Sequence, residues 1–293
     1  MRSLTEEHYE HWLARGYVVA PLLEPAEVDG ALAEIYEYMP PWEEYVRHPR
    51  WYEHSVSVPY GESRTRVTFP FVGSVLNFTT IGETLVAFAE RILRTNRIML
   101  SHGQLGGKYA GTRDYEQVLH CDFGNNMLVV PNTDDETFDV PALIYYTDVT
   151  VDLGPTYVVP QDYTRGGPIQ PQFRSREEYP ELYEHEFPVT VPAGHVLVYS
   201  MRTFHRGSRL LAKEGLRFAQ NVGFKRLDTP FCGQVTFQHD GGRPVMNRFL
   251  EAATPRQREL VGFPPVGDPY WSKEMISEVS RRYPGMDMSP YRD

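Results

Sequence analysis

Two of the ten histidines in this 293-residue chain stand where they could hold a metal ion. The first is in Val118-Leu119-His120-Cys121-Asp122-Phe123, an imidazole and a carboxylate two residues apart beside a strand-like run. In extended backbone residues i and i+2 share a face, so His120 and Asp122 can reach one ion while Cys121 points to the other side. The second is His205, in a turn entered from the apolar run His195-Val196-Leu197-Val198-Tyr199-Ser200. Two neutral imidazoles and one carboxylate on one octahedral face form the ligand set of non-haem Fe(II) oxygenases, with three positions left for a bidentate 2-oxo acid and dioxygen. A His-x-Asp pair alone is a frequent coincidence, and a hydrogen-bonded turn is its plain alternative. The other eight histidines (His8, His11, His48, His54, His102, His185, His195 and His239) read as solvated side chains.

A dianionic 2-oxo acid would need a cation. Arg217, in the strand-like Leu216-Arg217-Phe218-Ala219-Gln220-Asn221-Val222, offers a guanidinium fork suited to a buried carboxylate. Arg206 and Arg209 compete for that role but fall in a Gly-Ser turn. Gln104 and Thr156 stand on predicted strands from which they could hydrogen-bond the same molecule, or serve as ordinary strand residues. Lys108, Arg64 and Arg66 read as solvated charges on loops, and Cys121 and Cys232 as packing residues.

The elements that must position these groups are legible in outline. With 41% hydrophobic and 13% aromatic residues the chain can bury a sizeable core, and 23 Gly with 24 Pro suit a turn-rich fold of short strands. A net charge of −10 argues against nucleic acid as a partner, and two cysteines exclude a disulfide framework. The opening Met1–Glu7 has no apolar signal-peptide core, and no stretch approaches the ~18 apolar residues of a membrane span. A soluble cytoplasmic protein acting on a small molecule, with no membrane partner, is expected.

Near the N-terminus a helix carries Tyr9, Trp12 and Leu13. Ser3 with Glu6 spells a capping box, whereas Thr5 has His8 three residues on and so an incomplete one. Gly16 stops this helix. A strand over 17–23 and a helix from Pro25 through Met39 follow. The aromatic stretch to about Thr79 carries no period and reads as loop or lid; its residues Trp42 to Tyr60 either cover a pocket or pack on the core. A further helix spans Ile81 to Leu93. From Arg97 short β-rich runs take over: Arg97–Gln104, Met127–Val130, Ala142–Thr147, Thr156–Val159, Phe187–Val191, His195–Ser200 and Gly215–Gly223. Strands so spaced predict a sandwich or jelly roll. Helices are predicted near Pro255–Val261 and Ser272–Tyr283. The expected organisation is one domain over residues 1–293, mainly β with flanking helices: N-terminal helices and lid-like loop in 1–96, β core in 97–226, and a C-terminal extension in 227–293.

Taken together, Leu4-Thr5-Glu6-Glu7, Arg15-Gly16-Tyr17-Val18-Val19, His120-Cys121-Asp122, the hairpin from Tyr146-Thr147-Asp148-Val149 to Gly154-Pro155-Thr156, the strand Pro192-Ala193-Gly194-His195-Val196-Leu197-Val198 leading to His205, and Arg217 resemble the phytanoyl-CoA dioxygenase family in order over residues 4 to 225. The resemblance implies a double-stranded β-helix (jelly roll, cupin-like) core and an Fe(II)/2-oxoglutarate-dependent dioxygenase. It implies that His120, Asp122 and His205 bind iron, that Arg217 pairs with the far carboxylate of 2-oxoglutarate, and that O2 is the other co-substrate. Hydroxylation of a small molecule such as a natural-product intermediate, with release of succinate and CO2, is the expected outcome. Halogenating relatives replace the aspartate by a small residue; Asp122 is present. Where the family often has Pro-Gly-Ser-His, this chain has Pro160-Gln161-Asp162-Tyr163, a departure in a loop expected to face the substrate. The competing readings are a cupin-like metalloenzyme using the same ligands without 2-oxoglutarate, which Arg217 would discriminate, and a ligand-binding relative without turnover.

Overall fold

The computed structural model describes residues 4–48, 67–111, 116–122, 138–229 and 241–292. The strands are β1 (Tyr17–Pro21), β2 (Val67–Thr68), β3 (Ile98–Tyr109), β4 (Leu119–His120), β5 (Asp139–Tyr145), β6 (Thr156–Val158), β7 (Phe173–Arg174), β8 (Phe187–Pro188), β9 (His195–Tyr199), β10 (His205–Gly207) and β11 (Leu216–Arg226). They form a six-stranded sheet in the order β1-β9-β5-β11-β3-β2 and a five-stranded sheet in the order β7-β4-β10-β6-β8. With β1, β2 and β7 set aside as flanking strands, the chain passes from β3 in the larger sheet to β4 in the smaller and back to β5, then through the paired β6 and β8 of the smaller sheet, and on to β9, β10 and β11 in alternation. The pairings are antiparallel, and this winding is the double-stranded β-helix expected from the sequence.

Strand alternation separates two surfaces of the larger sheet. Phe218, Val222 and Phe224 of β11, with Ala142 and Ile144 of β5 and Val196 and Val198 of β9, join the main core. Its helical side is built from α1 (Glu6–Arg15), α2 (Pro25–Ile35), α3 (Trp42–Arg47), α4 (Ser74–Thr80) and α5 (Glu83–Leu93), which contribute Trp12, Ala31, Ile35, Leu76, Leu85 and Phe88. Gln220 crosses this interface by accepting from the Tyr146 hydroxyl and donating to Thr80 Oγ1, both at 2.6 Å. The opposite surface carries Tyr145, Leu197, Tyr199 and Ala219, which pack with Val158 of the smaller sheet in a second core between the two sheets.

The local signals hold in part. Thr5, not Ser3, is the N-cap of α1. His8 completes its box by accepting the Thr5 N–H at Nδ1, 3.0 Å away. An imidazole nitrogen thus does what Glu or Gln usually does, and Glu6 instead meets Arg91. Gly16 ends α1 in the left-handed region at φ 75°. The second helix stops at Ile35 rather than Met39.

The stretch read as a loop to Thr79 contains α3, β2 and α4 among its described residues. Helix α4, Ser-Val-Leu-Asn-Phe-Thr-Thr, is poor in helix-favouring residues. Its N-terminus is held from outside: the Glu34 carboxylate of α2 accepts the N–H groups of Val75 and Leu76, each at 2.8 Å. Trp42 donates to the Ala110 carbonyl at 3.2 Å, and Tyr45 packs on Tyr109, so these two aromatics pack on the core. Residues 49–66, with His54, Arg64 and Arg66, and the predicted strand Met127–Val130 lie outside the described residues, as do Cys232 and His239.

Toward the C-terminus the helices Pro255–Glu259 and Lys273–Arg282 appear where expected, and a third, Pro244–Ala252, was not anticipated. Its Met246, Phe249 and Leu250 join the main core, with Phe249 set edge-on to Phe69 at 4.9 Å. Among the described residues no helix is long and apolar enough to cross a membrane.

Candidate active site

His120 ends β4, His205 opens β10, and the two are direct register partners of an antiparallel pair. Their ring centroids are 4.5 Å apart. Asp122 follows two residues after His120. The His120 Nε2 lies 3.8 Å from Asp122 Oδ1 and the His205 Nε2 3.6 Å from Oδ2. One ligand atom from each residue lies within 4.8 Å of the others, and all three residues are buried. The structure thus brings together the three residues singled out for metal binding.

Both imidazoles are oriented alike. His120 Nδ1 is 2.9 Å from the Val118 carbonyl, and His205 Nδ1 is 3.0 Å from the Thr203 carbonyl. A carbonyl only accepts, so each Nδ1 carries the proton and each Nε2 turns a lone pair to the centre. Burial pushes the His205 imidazolium down to about 4, which keeps the ring neutral and able to ligate near pH 7. Burial alone would raise Asp122, but His205, His120 and a hydrogen bond from Tyr199 outweigh it and hold the carboxyl below its ordinary value. Phe173 of β7 stacks on His120 at 5.7 Å and is half-exposed.

Among the three competing arginines, Arg217 alone lies on the inner surface. It is two residues from Ala219 on β11 and its charge is felt by the buried Tyr145 phenol. One of its Nη atoms donates to the Gly154 carbonyl. Thr156 accepts from the Tyr145 hydroxyl at 3.2 Å, which places it in the same neighbourhood. Arg206 faces outward. It is gripped by Glu186 through Nε at 2.6 Å and Nη2 at 2.8 Å, by Glu116 at 2.6 Å, and lies over the Tyr157 ring. Arg209 is an exposed partner of Glu116. Gln104 stands opposite Asn221 on the inner surface of β3.

Three expectations change. Lys108 is not a solvated loop charge: it is buried in β3, paired in register with Arg217, and its Nζ donates to the Ser208 carbonyl at 2.5 Å. His102 is not solvated either. It is buried between the Ser101 hydroxyl and Asn221 Oδ1, each 3.1 Å from a ring nitrogen, and it covers its register partner Gly223. A Cβ on Gly223 would stand 2.3 Å from His102 Cε1 and 2.4 Å from Ser101 Oγ. Finally, the stretch Pro160-Gln161-Asp162-Tyr163 lies against the N-terminal helix. The Gln161 side chain covers Gly16 and donates to Thr203 at 3.4 Å, and Asp162 pairs with Arg15 at 3.1 Å. Cys121 is packed away from the three ligands, with Leu119, Val159 and Phe204, as strand alternation requires.

One residue of the site was missed. Tyr199 ends β9 and donates its hydroxyl to Asp122 Oδ2 at 2.8 Å. The available signal was alternation along His195–Tyr199, which sets Tyr199 on the same face as Leu197 and just ahead of His205.

A double-stranded β-helix with a buried His-Asp-His cluster between its sheets is the architecture of the non-haem, jelly-roll oxygenase class. The chain belongs to the phytanoyl-CoA dioxygenase (PhyH) family, whose model matches residues 12–213. No curated protein matches it in sequence. Among solved structures it is similar to the non-heme alpha ketoglutarate dependent carbocyclase SnoK from nogalamycin biosynthesis, with TM-score 0.59 and 19% identity over 80% of this chain and 89% of that one. It is also similar to the epimerase SnoN in complex with Fe3+, alpha ketoglutarate and nogalamycin RO, with TM-score 0.56 and 18% identity over 89% and 92% of the two chains. HygX from Streptomyces hygroscopicus, with nickel and 2-oxoglutarate bound, gives TM-score 0.54 and 18% identity over 78% and 89%. At these identities the likeness is one of fold.

Proposed function

We propose that this protein is an Fe(II)- and 2-oxoglutarate-dependent dioxygenase that hydroxylates a C–H bond of a small molecule, a natural-product intermediate, and works as a single domain. The observation that carries this reading is the convergence of His120, Asp122 and His205, with both imidazoles fixed in the tautomer that turns Nε2 inward. Two nitrogens and one carboxylate oxygen suit Fe(II), and the lack of a thiolate among them disfavours a closed structural zinc site. Family membership and neighbours described with Fe3+ or nickel and a 2-oxo acid support the same choice.

When bound, iron and 2-oxoglutarate supply the oxidising power, with dioxygen consumed and the 2-oxo acid converted to succinate and CO2. The chain's part is to hold and exclude. His120, Asp122 and His205 hold the metal. Arg217 binds the far carboxylate of the co-substrate, with Thr156 and Gln104 as further hydrogen-bond partners. The paired sheets keep water from the site and fix the geometry in which a substrate carbon is presented. The named neighbours include a carbocyclase and an epimerase, so the outcome depends on which hydrogen the bound substrate presents.

Anaerobic addition of Fe(II) and 2-oxoglutarate should produce a visible charge-transfer absorption, and Asp122→Ala should abolish or weaken it. Succinate release stimulated by one member of a panel of natural-product acids, amines and terpenoids would identify the substrate class. A parent protein that gives no absorption and binds no 2-oxoglutarate would refute the proposal.

A further inference from the structure

The two histidines are steered by carbonyls of their own segments, whereas the hydroxyl that reaches Asp122 comes from the facing sheet. Tyr199 belongs to β9, and its ring packs with Tyr17, Tyr145 and Val158 between the sheets. The ring also lies 4.5 Å from that of His205, tilted by 56°. Both Tyr199 and Asp122 are buried. A ring so wedged cannot swing, so its O–H is fixed on Asp122 Oδ2 at 2.8 Å.

We infer that Tyr199 is a positioning residue that makes Asp122 a one-oxygen ligand. The inference rests on the iron and 2-oxoglutarate reading above. A hydrogen bond to Oδ2 engages that oxygen and leaves Oδ1 the better donor to a cation. A carboxylate bound through one oxygen takes one coordination position, so with two imidazoles three remain for a bidentate co-substrate and dioxygen. Without the Tyr199 hydroxyl, Oδ2 would compete with Oδ1 for the cation, and a second carboxylate oxygen would take a position that the 2-oxo acid requires. In this role Tyr199 acts through the aspartate.

The test compares the parent with Tyr199→Phe, which keeps the ring and removes one oxygen. Co(II) is titrated into each metal-free protein and followed by its visible d–d absorption, which depends on coordination number. The absorption of Fe(II) with 2-oxoglutarate is then recorded anaerobically. The Phe variant should still bind Co(II), show an altered d–d spectrum that reports the added carboxylate oxygen, and need severalfold more 2-oxoglutarate for half-maximal absorption. An unchanged Co(II) spectrum together with an equal 2-oxoglutarate half-saturation would overturn the assignment. A parent that binds Co(II) but gives no absorption with 2-oxoglutarate would sink the co-substrate reading, while the Co(II) comparison would still judge Tyr199. If near-ultraviolet circular dichroism shows the Phe variant unfolded, Tyr199→Gln, which keeps an N–H donor and brings no imidazole to the metal, takes its place. A folded Gln variant whose Co(II) spectrum and 2-oxoglutarate half-saturation match the parent's then supports the role, and one in which both are altered refutes it.

Discussion

Replacing Gly223 by alanine is a one-carbon perturbation with a calculable consequence. The new Cβ would lie 2.3 Å from Cε1 and 2.6 Å from Nδ1 of His102, well inside van der Waals contact. His102 cannot yield without leaving Ser101 and Asn221, each bonded to it at 3.1 Å. Two buried hydrogen bonds at about 1 kcal/mol each, plus overpacking of about 1–3 kcal/mol, give a loss of about 3–5 kcal/mol. For a chain of this size the melting temperature should fall by about 6–20 °C. The assay is thermal and urea unfolding of Gly223→Ala, His102→Ala and the double variant. With the imidazole gone the clash that remains is with Ser101 Oγ, 2.4 Å from the new Cβ and able to rotate aside, so Gly223→Ala should cost less on the His102→Ala background, with a coupling of about 1 kcal/mol or more. Additive losses, or a single variant melting with the parent, would refute the claim that the ring occupies the space of the missing side chain.

Three further outcomes follow from the site. Arg217→Ala should raise the 2-oxoglutarate concentration for half-maximal turnover at least tenfold, the scale of a lost charge-assisted pair, while Co(II) titration of the metal-free protein stays unchanged. Arg206→Met leaves the buried Glu186 carboxylate with Arg176, 3.0 Å away, in place of two arginines and should cost about 1–3 kcal/mol in urea unfolding, yet leave 2-oxoglutarate affinity intact; a loss of affinity instead would put the co-substrate cation at Arg206. His205 takes its proton at about 4 when folded, against an ordinary value of 6.5. Between those pH values the unfolded chain is the better proton acceptor. The metal-free protein should therefore hold this contribution in full above pH 6.5 and lose about 1.4 kcal/mol per unit as pH falls toward 4. His205→Asn should flatten that slope in urea midpoints measured across the window.

How far the sequence was legible depends on how far each device reaches along the chain. The same-face pairing of His120 with Asp122, the outward turn of Cys121 and the stop at Gly16 depend on neighbours one or two residues away, and all are as the local pattern requires. The reason for preferring Arg217, a strand against a turn, does not hold, because Arg206 is itself the middle residue of β10; what separates them is alternation, which turns Arg217 inward on β11 and Arg206 outward. What escaped depends on distant partners. Helix α4 is capped by Glu34 of another helix, so its own seven residues give little hint of it. Tyr199 looked like one more apolar strand residue, because its acceptor, Asp122, is 77 positions away. His102 looked solvated because the glycine that makes room for it lies on β11, and Lys108 looked like a loop charge because its strand runs on to Tyr109.

Strand β1 lies at the rim of the larger sheet and is matched to β9 from Tyr17 opposite Tyr199 to Pro21 opposite His195. Without it, the apolar run His195-Val196-Leu197-Val198-Tyr199 would present open backbone donors and acceptors, a template on which a second molecule could add a strand. The N-terminal segment is therefore a selvedge as much as a support. The rim it offers in place of β9 is a short strand ending in Pro21, a residue with no N–H to donate. A version of the protein trimmed to begin after residue 21 would keep every proposed metal ligand and would still be prone to associate edge to edge.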